Sequence, residues 1–390
     1  MSLRTRLAER FFGDVIRSHV EQAVKVVDDR WWAQLGGAAT TQDRAWHEVQ
    51  GDLTDALEAW RANPLAFRIV SLTTDFVVGE GLAVRSRVPW AQAFLEQFWE
   101  HRQNRLPLRL HRWCDELSRS GELFLVLSTN QADGMSYVRE VPAARIDRIE
   151  AAAGDLEREL RYHELTGTLD GRWWPGPGAA EALEAPQLML HYAINRPVGA
   201  LRGHSDLAPI LPWLKRYKEW LEDRVRINRY KGAFLWQVTV RNAGPGVLER
   251  KRAQYLRAPA PGSVLVTDEF EEWRAVQPAI EAADASPDGR AMRMMIAAGA
   301  GIPLHFLADA EATNRATAAE MGTPTYRHYD HRRIEFCAML VDLCGWALRR
   351  SHPPTTAAVA NDLALYWEAL SPSLNPAETL PQTPTATQEQ

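Results

Sequence analysis

Between Leu207 and Lys231 apolar residues recur at steps of three and four: Leu207, Ile210, Leu211, Leu214, Tyr217, Leu221 and Val225, with Asn228 closing the series. That spacing lays one mostly apolar stripe along a helix. At about 1.5 Å per residue the helix is roughly 30 to 40 Å long, depending on what Pro212 does to its first turns. Lys215, Arg216, Lys218, Arg224, Arg226, Arg229 and Lys231 are interleaved with Glu219, Glu222 and Asp223, so the flanks carry both signs. A helix this long predicts neighbours along its sides rather than a place in a simple core.

The residues leading into it, Gly203, His204, Ser205 and Asp206, begin like a nucleophile elbow. That motif needs a second glycine in the fifth position, where it lets strand and helix pack closely around an exposed serine. Leu207 stands there instead. The reading that fits is a helix N-cap, with Ser205 or Asp206 accepting orphan N–H groups of the first turn and Pro209 near the start. A serine hydrolase using Ser205 is the rival, and it requires a histidine and an acid that the sequence does not place.

A second helix begins at Ser286 as N-cap, Pro287 at the first helical position and Asp288 beside the positive end, and Gly299, Gly301 and Pro303 end it. Between the two helices Phe234–Val240 alternates as a strand and Val247–Leu256 reads as a short basic helix. Ser263–Thr267 and Trp273–Val276 are further strands. Two helices thus bracket a compact insert of about fifty residues.

Upstream, Leu3–Asp28 has an apolar side made by Leu7, Phe11, Val15, Val20, Val24 and Val27. Asn63 and Pro64 start a buried helix that runs through Val77 to a Gly79/Gly81 stop. Trp90–Asn104 and Leu108–Arg119 are helical. The period then changes: "GELFLVLSTNQADGMSYVREVP" gives two strands joined through Asp133-Gly134. Arg145–Glu150, Arg158–Leu165 and Leu188–Ala193 continue as short strands. Helices followed by strands, without regular βαβ alternation, predict an α+β fold. Downstream, Tyr326–Arg350 forms another long helix with Ile334, Cys337, Ala338, Val341, Cys344 and Leu348 on one side, its approach kinked or interrupted at Pro324. From Ser371 the chain is rich in Pro, Thr and Gln, a composition that predicts disorder.

The 390 residues carry a net charge of −5, which argues against a simple DNA-coating protein while leaving local basic surfaces open. Cys114, Cys337 and Cys344 make no metal motif, and an odd count argues against a disulfide framework. No apolar run reaches the length of a membrane span or forms a signal peptide, so the expected compartment is a reducing cytoplasm. None of the five lysines follows a glycine, so the chain has no P-loop and no nucleotide cofactor is expected. His328 and His331 flank Asp330, but without a third ligand a solvated helix face is the better reading than a metal site. No metal or other cofactor is expected.

The order of four stretches resembles the portal protein of tailed double-stranded DNA bacteriophages and prophages. They are "RANPLAFRIVSLTTDFVVGEGL", the hairpin "GELFLVL…YVREVPAARI", the opening "INRPVGALRGHSDLAPILPWLKRY", and "MMIAAGAGIPLHFLADAEATNRATAAE". Together they cover most of the chain from Asn63 to His331. The resemblance implies a ring, usually of twelve subunits, at one capsid vertex, through which DNA is packaged and ejected. It implies a wing over 1–204, a first stem helix over 205–231, a clip over 232–285 and a second stem helix over 286–303. A tunnel loop over 304–316, a wing or crown-side helix over 317–352 and a short crown with a disordered tail over 353–390 complete it.

Site roles follow from the resemblance. Leu214, Tyr217, Leu221 and Val225 become stem packing residues between subunits. Asn314 and Arg315 become candidates for sequence-independent contact with duplex phosphates, weakened by Asp309 and Glu311. Arg250, Lys251, Arg252 and Arg257 read either as a solvated helix face or as a surface for an acidic partner. The resemblance favours docking of the large terminase and later of a head–tail adaptor. Capsid and scaffold proteins are further expected partners, with assembly in the host cytoplasm and a final place in the virion. A twelve-fold ring sums to about −60 in charge, so DNA adheres weakly to an average channel wall. The chain is expected to have no catalytic residue. Its tryptophans, including Trp31-Trp32 and Trp173-Trp174, are expected as core or interface anchors. Another head–tail adaptor component is a further alternative, disfavoured by length.

Overall fold

The structure is a computed structural model that describes residues 43–130, 132–167, 170–232, 235–241, 244–255, 270–276, 285–307, 315–351 and 363–370. It is α+β, and the chain divides into two compact units, Met1–Pro209 with Thr313–Gln390, and Ile210–Ala312. The expected helix over 3–28, the strand over 263–267 and the tail beyond 370 lie outside the described residues.

The first unit opens with α1 (Trp46–Ala62) and α2 (Pro64–Val77). Asn63 caps α2 as expected, its side-chain oxygen accepting from the Leu65 N–H at 3.0 Å ahead of Pro64. The stop also forms as the glycines require, since Gly79 and Gly81 take φ of 58° and 137°. After β1 (Leu82–Ser86) come α3 (Pro89–Glu100) and α4 (Leu106–Ser120). The helix expected as far as Asn104 ends at Glu100, because Asn104 is wholly buried and spends its amide on other backbone: it donates to Phe98 and Ser136 carbonyls and accepts from Val138 N–H.

The strands β2 (Glu122–Thr129), β3 (Ser136–Val141), β4 (Ile146–Ala152), β5 (Asp155–Glu164), β6 (Arg172–Pro175) and β7 (Gln187–Ala193) form two antiparallel sheets. Their orders are β3-β2-β7 and β4-β5-β6. The hairpin turn sits at Asp133-Gly134, with Gly134 at φ 68° and Asp133 accepting from Met135 N–H at 2.9 Å. Val49, Leu53, Phe124, Val126, Ile146, Tyr162, Trp174 and Met189 are buried together, so one apolar cluster ties α1 to both sheets. Trp174 is thus a core anchor.

The second unit contains α5 (Leu211–Gly232), β8 (Leu235–Val240), α6 (Pro245–Gln254), β9 (Glu271–Val276) and α7 (Ala285–Gly299). The strands pair antiparallel, Val238 opposite Trp273. The long helix starts at Leu211 rather than at Ser205, and Pro212 falls in its first turn, where no N–H is needed. The second long helix starts one residue before Ser286, so Ser286 lies in its first turn and is not the cap. It ends as expected, with Gly301 at φ 67°.

The chain then enters α8 (Arg315–Ser351) and β10 (Leu365–Ala369), which pairs with β1. Pro324 is expected to kink or interrupt the approach to α8; the helix is not interrupted there and runs on through it. Gly322, Thr325 and Tyr329 are buried around that point, where a proline inside a helix costs about 3 kcal/mol. The buried face is also rotated from the expected one. Ile334 is 55% exposed, whereas Phe336, Cys337, Leu340, Leu343, Cys344 and Leu348 are buried. Arg332 and Arg333 take inward positions that a count of apolar residues assigns to solvent. Arg333 donates to the Val77 and Phe76 carbonyls at 3.0 and 2.6 Å, placing a cation on the negative end of α2. The three cysteines are buried and free.

Candidate functional site

The stem residues lie along α5 in a graded series. Leu214 is 2% exposed and Tyr217 half-buried, while Leu221 and Val225 are 43% and 51% exposed. The stripe therefore starts buried at Leu214 and is exposed by Leu221 and Val225. Two glycines of α7 decide how closely that helix approaches α5. A Cβ at Gly299 would lie 2.4 Å from the Ile210 side chain, and one at Gly289 would lie 2.5 Å from the Trp220 ring. Trp220 in turn stacks on Tyr217 at 5.9 Å. Sequence reading takes Gly299 only as a helix stop, gives Gly289 no role, and places Trp220 only among the tryptophans expected as core or interface anchors.

The basic helix α6 separates its candidates. Arg250 and Arg252 are exposed. Lys251 is not free for a partner: its ammonium pairs with Glu271 on β9, which raises its pKa, and lies 5.6 Å over the Tyr255 ring. The Tyr255 hydroxyl donates to the same carboxylate at 3.1 Å, and its ring meets Trp273 edge-on at 4.9 Å. Lys251 therefore pins α6 to the strand pair. Arg257 and Asn314 lie outside the described residues; Arg315 opens α8, and its side chain is not described.

Ser205 is 8% exposed. Its hydroxyl donates to the Ser118 carbonyl at 3.2 Å and accepts from Leu207 N–H at 3.0 Å. It caps a turn over 206–210 rather than the helix. The neighbouring His204 points Nδ1 at Arg44, 3.0 Å away, and burial followed by that guanidinium lowers its pKa. His331 is 75% exposed beside Glu335, and no cluster able to hold a metal occurs among the described residues.

The segment before Ser205 is held by a buried polar network that sequence reading missed. Arg202 donates to Glu122 at 2.7 Å and to the Ile146 carbonyl at 2.6 Å, while Gly203 N–H donates to the other Glu122 oxygen at 3.0 Å. His191 stacks on Phe124 at 4.4 Å, with Nε2 3.4 Å from Glu122 and Nδ1 3.1 Å from Glu159. Burial alone would lower the His191 pKa, but the two carboxylates outweigh it and raise it to about 9. Burial likewise opposes the charge on Glu122, and Arg202 with His191 overrides it to hold the carboxyl down at about 2. Gly121 and Gly203 let the backbones meet: a Cβ on Gly203 would lie 2.3 Å from the Gly121 carbonyl oxygen. The only sequence signal was the pair of glycines, each next to a charged residue or one residue from it.

No family model and no curated protein matches the sequence. Solved structures do match the fold. A chain in the virion of the native gene transfer agent particle aligns at TM-score 0.57 and 15% identity, over 88% of this chain and 89% of that one. A chain in the neck of the native particle, computed with C12 symmetry, aligns at 0.56 and 16%, over 86% and 91%. An HK97-family phage portal protein from Corynebacterium diphtheriae aligns at 0.39 and 13%, over 81% and 94%, too weakly to carry weight. The chain has the fold of a gene transfer agent neck chain.

Proposed function

We propose that the chain is a portal subunit of a tailed double-stranded DNA phage or prophage. Copies close into a ring at one capsid vertex, and DNA passes through its centre during packaging and ejection. The observation that carries this reading is the α5 stripe, buried at Leu214 and left exposed at Leu221 and Val225. Fully burying such a side chain is worth about 1.5–3 kcal/mol, and a neighbouring copy presenting the same helix supplies that burial. The order of sequence stretches and the shared fold support the same reading. Twelve copies are the expected number, in keeping with the C12 symmetry of a neck containing a chain of this fold.

The mechanism is geometric and non-enzymatic. Asn314 and Arg315 touch phosphates without reading bases, and weak contacts let the duplex slide. The chain has no P-loop, so a large terminase supplies the energy by docking on the clip through Arg250 and Arg252, with Arg257 as a further candidate. A head–tail adaptor takes its place after packaging, and capsid and scaffold proteins surround the ring. Assembly occurs in the host cytoplasm and the ring stays in the virion. Both Ser205 hydroxyl contacts are to backbone, which gives the hydrolase alternative no support.

Shortening 309–315 tests the channel role. Rings should form, but packaged or retained DNA should fall, and Arg315→Ala should have a smaller effect that is independent of DNA sequence. Normal packaging by intact loop-shortened rings would contradict the reading.

A further inference from the structure

The first unit carries a groove of about 320 Å³ between β7, α4 and α8, with an apolar floor made by Val77, Leu117, Ile194, Phe336 and Met339. One wall is the free edge of a strand, since among the described residues β7 pairs with β2 alone. Along an antiparallel ladder, residues alternate between bonding across to the neighbour and pointing their main chain away from it. Ile194 N–H donates to the Gly121 carbonyl, and the Pro186 carbonyl accepts from Thr129 N–H. The even-numbered residues of β7 therefore bond to β2, and the N–H and C=O groups of His191 and Ala193 point to the open side. Burial agrees. The His191 side chain is 0% exposed, yet the residue as a whole is only half-buried, so the surface it shows is backbone. Both residues line the groove, and an edge of this kind is a template for one more strand.

We propose that the groove takes an extended segment of another protein, added antiparallel to β7, with a lysine or arginine opposite Tyr192 and an apolar residue opposite Ile194. Side chains alternate along β7: His191 stacks on Phe124 in the core, whereas the Tyr192 hydroxyl donates to Asp342 of α8 at 2.9 Å. A residue of the added strand opposite Tyr192 lies on the same face, with the two Cβ atoms about 4.5–5.5 Å apart. A long basic side chain there reaches the Asp342 carboxylate. That carboxylate is the rim charge without a counterion. Arg196 pairs with Glu157 and Glu159, and Arg332 pairs with Asp206 and Glu335. Asp342 makes no ion pair among the described residues, and burial raises its pKa despite the Tyr192 bond and the more distant Arg349. A cation carried by the incoming strand offsets that penalty without breaking any existing pair. Side chains two residues apart on a strand share a face, so the residue opposite Ile194 meets the apolar floor. The site belongs to the first unit and stands whether or not copies form a ring.

The test uses the full chain and the acetylated peptide Thr-Val-Thr-Lys-Thr-Val-Thr, whose lysine and two valines share one face. At millimolar peptide, amide exchange at His191 and Ala193 should slow several-fold. Affinity should fall about tenfold when the lysine is replaced by glutamine, when the two residues flanking it are N-methylated, or in Asp342→Asn, which keeps an acceptor for Tyr192. The glutamine peptide should bind wild type and Asp342→Asn alike. No slowing at His191 and Ala193 would overturn the proposal. So would equal binding of the N-methylated peptide, which would make the groove a pocket for small amphipathic molecules. Slow exchange of those two amides in the chain alone, lost on dilution, would give the edge to a second copy and overturn it as well.

Discussion

Arg202 and Glu122 form a buried ion pair, Nη2 to Oε2 at 2.7 Å, with side chains 8% and 1% exposed. The pair fixes the backbone that leads through Ser205 toward α5. Removing one partner leaves the other charge buried and unpaired, a loss of about 3–5 kcal/mol. Arg202→Ala is therefore expected to lower the urea midpoint sharply. Arg202→Met with Glu122→Gln, which removes both charges, should recover part of the loss. Equal midpoints for Arg202→Ala and wild type would refute the role of the pair.

The same network sets the pH response. His191 rises from an ordinary 6.5 to about 9 on folding, so its stabilisation is complete below pH 6.5 and is lost as pH climbs through about 9. Glu122 falls from 4.5 to about 2, so its contribution is present above pH 4.5 and is lost as pH falls toward 2. Stability should peak between these limbs, and His191→Gln should remove the alkaline limb and, because His191 also holds the Glu122 carboxyl down, weaken the acid limb without abolishing it. Denaturant midpoints measured from pH 2 to 10 check both.

The clip variants should separate two functions of one helix. Arg250→Glu with Arg252→Glu reverses exposed charge, which seldom unfolds a domain but disrupts a complementary surface. Binding to the terminase should weaken while rings persist. Lys251→Glu instead faces Glu271, and it should loosen α6 and raise its amide exchange. Undiminished terminase binding by the double reversal at moderate salt would remove this docking surface.

What was legible in the sequence was local. Asn63-Pro64, Asp133-Gly134 and Gly301 act within a few residues of themselves, and each behaved as its backbone chemistry required. Ser205 acts as a cap, as its sequence context implies, but its Ser118 contact, 87 residues away, places the cap on the turn before the helix rather than on the helix. The face of α8 was misjudged because Arg333 finds carbonyls of α2, 256 residues away. Glu122, His191 and Glu159 come from three strands, and periodicity gives no sign that they meet. Lys251 looked like its arginine neighbours until Glu271 was brought beside it.

The stem stripe makes a further discrimination. Leu214→Asp puts a carboxylate in the core and should destabilise the second unit itself, by several kcal/mol. Leu221→Asp lies where the isolated chain is 43% exposed, so the chain should stay folded and lose assembly. Arg216→Ala removes an arginine 5.1 Å over the Trp213 ring and should cost little, about 1 kcal/mol or less. Calorimetry and sedimentation of the three variants together separate folding from association.

Negative-stain imaging of the purified chain beside its Leu221→Asp variant tests the central claim most directly. The account predicts closed rings with a central hole, about twelve-fold, for the wild type and folded monomers for the variant. Monodisperse wild-type monomers under all assembly conditions, or rings that form equally in the variant, would contradict it.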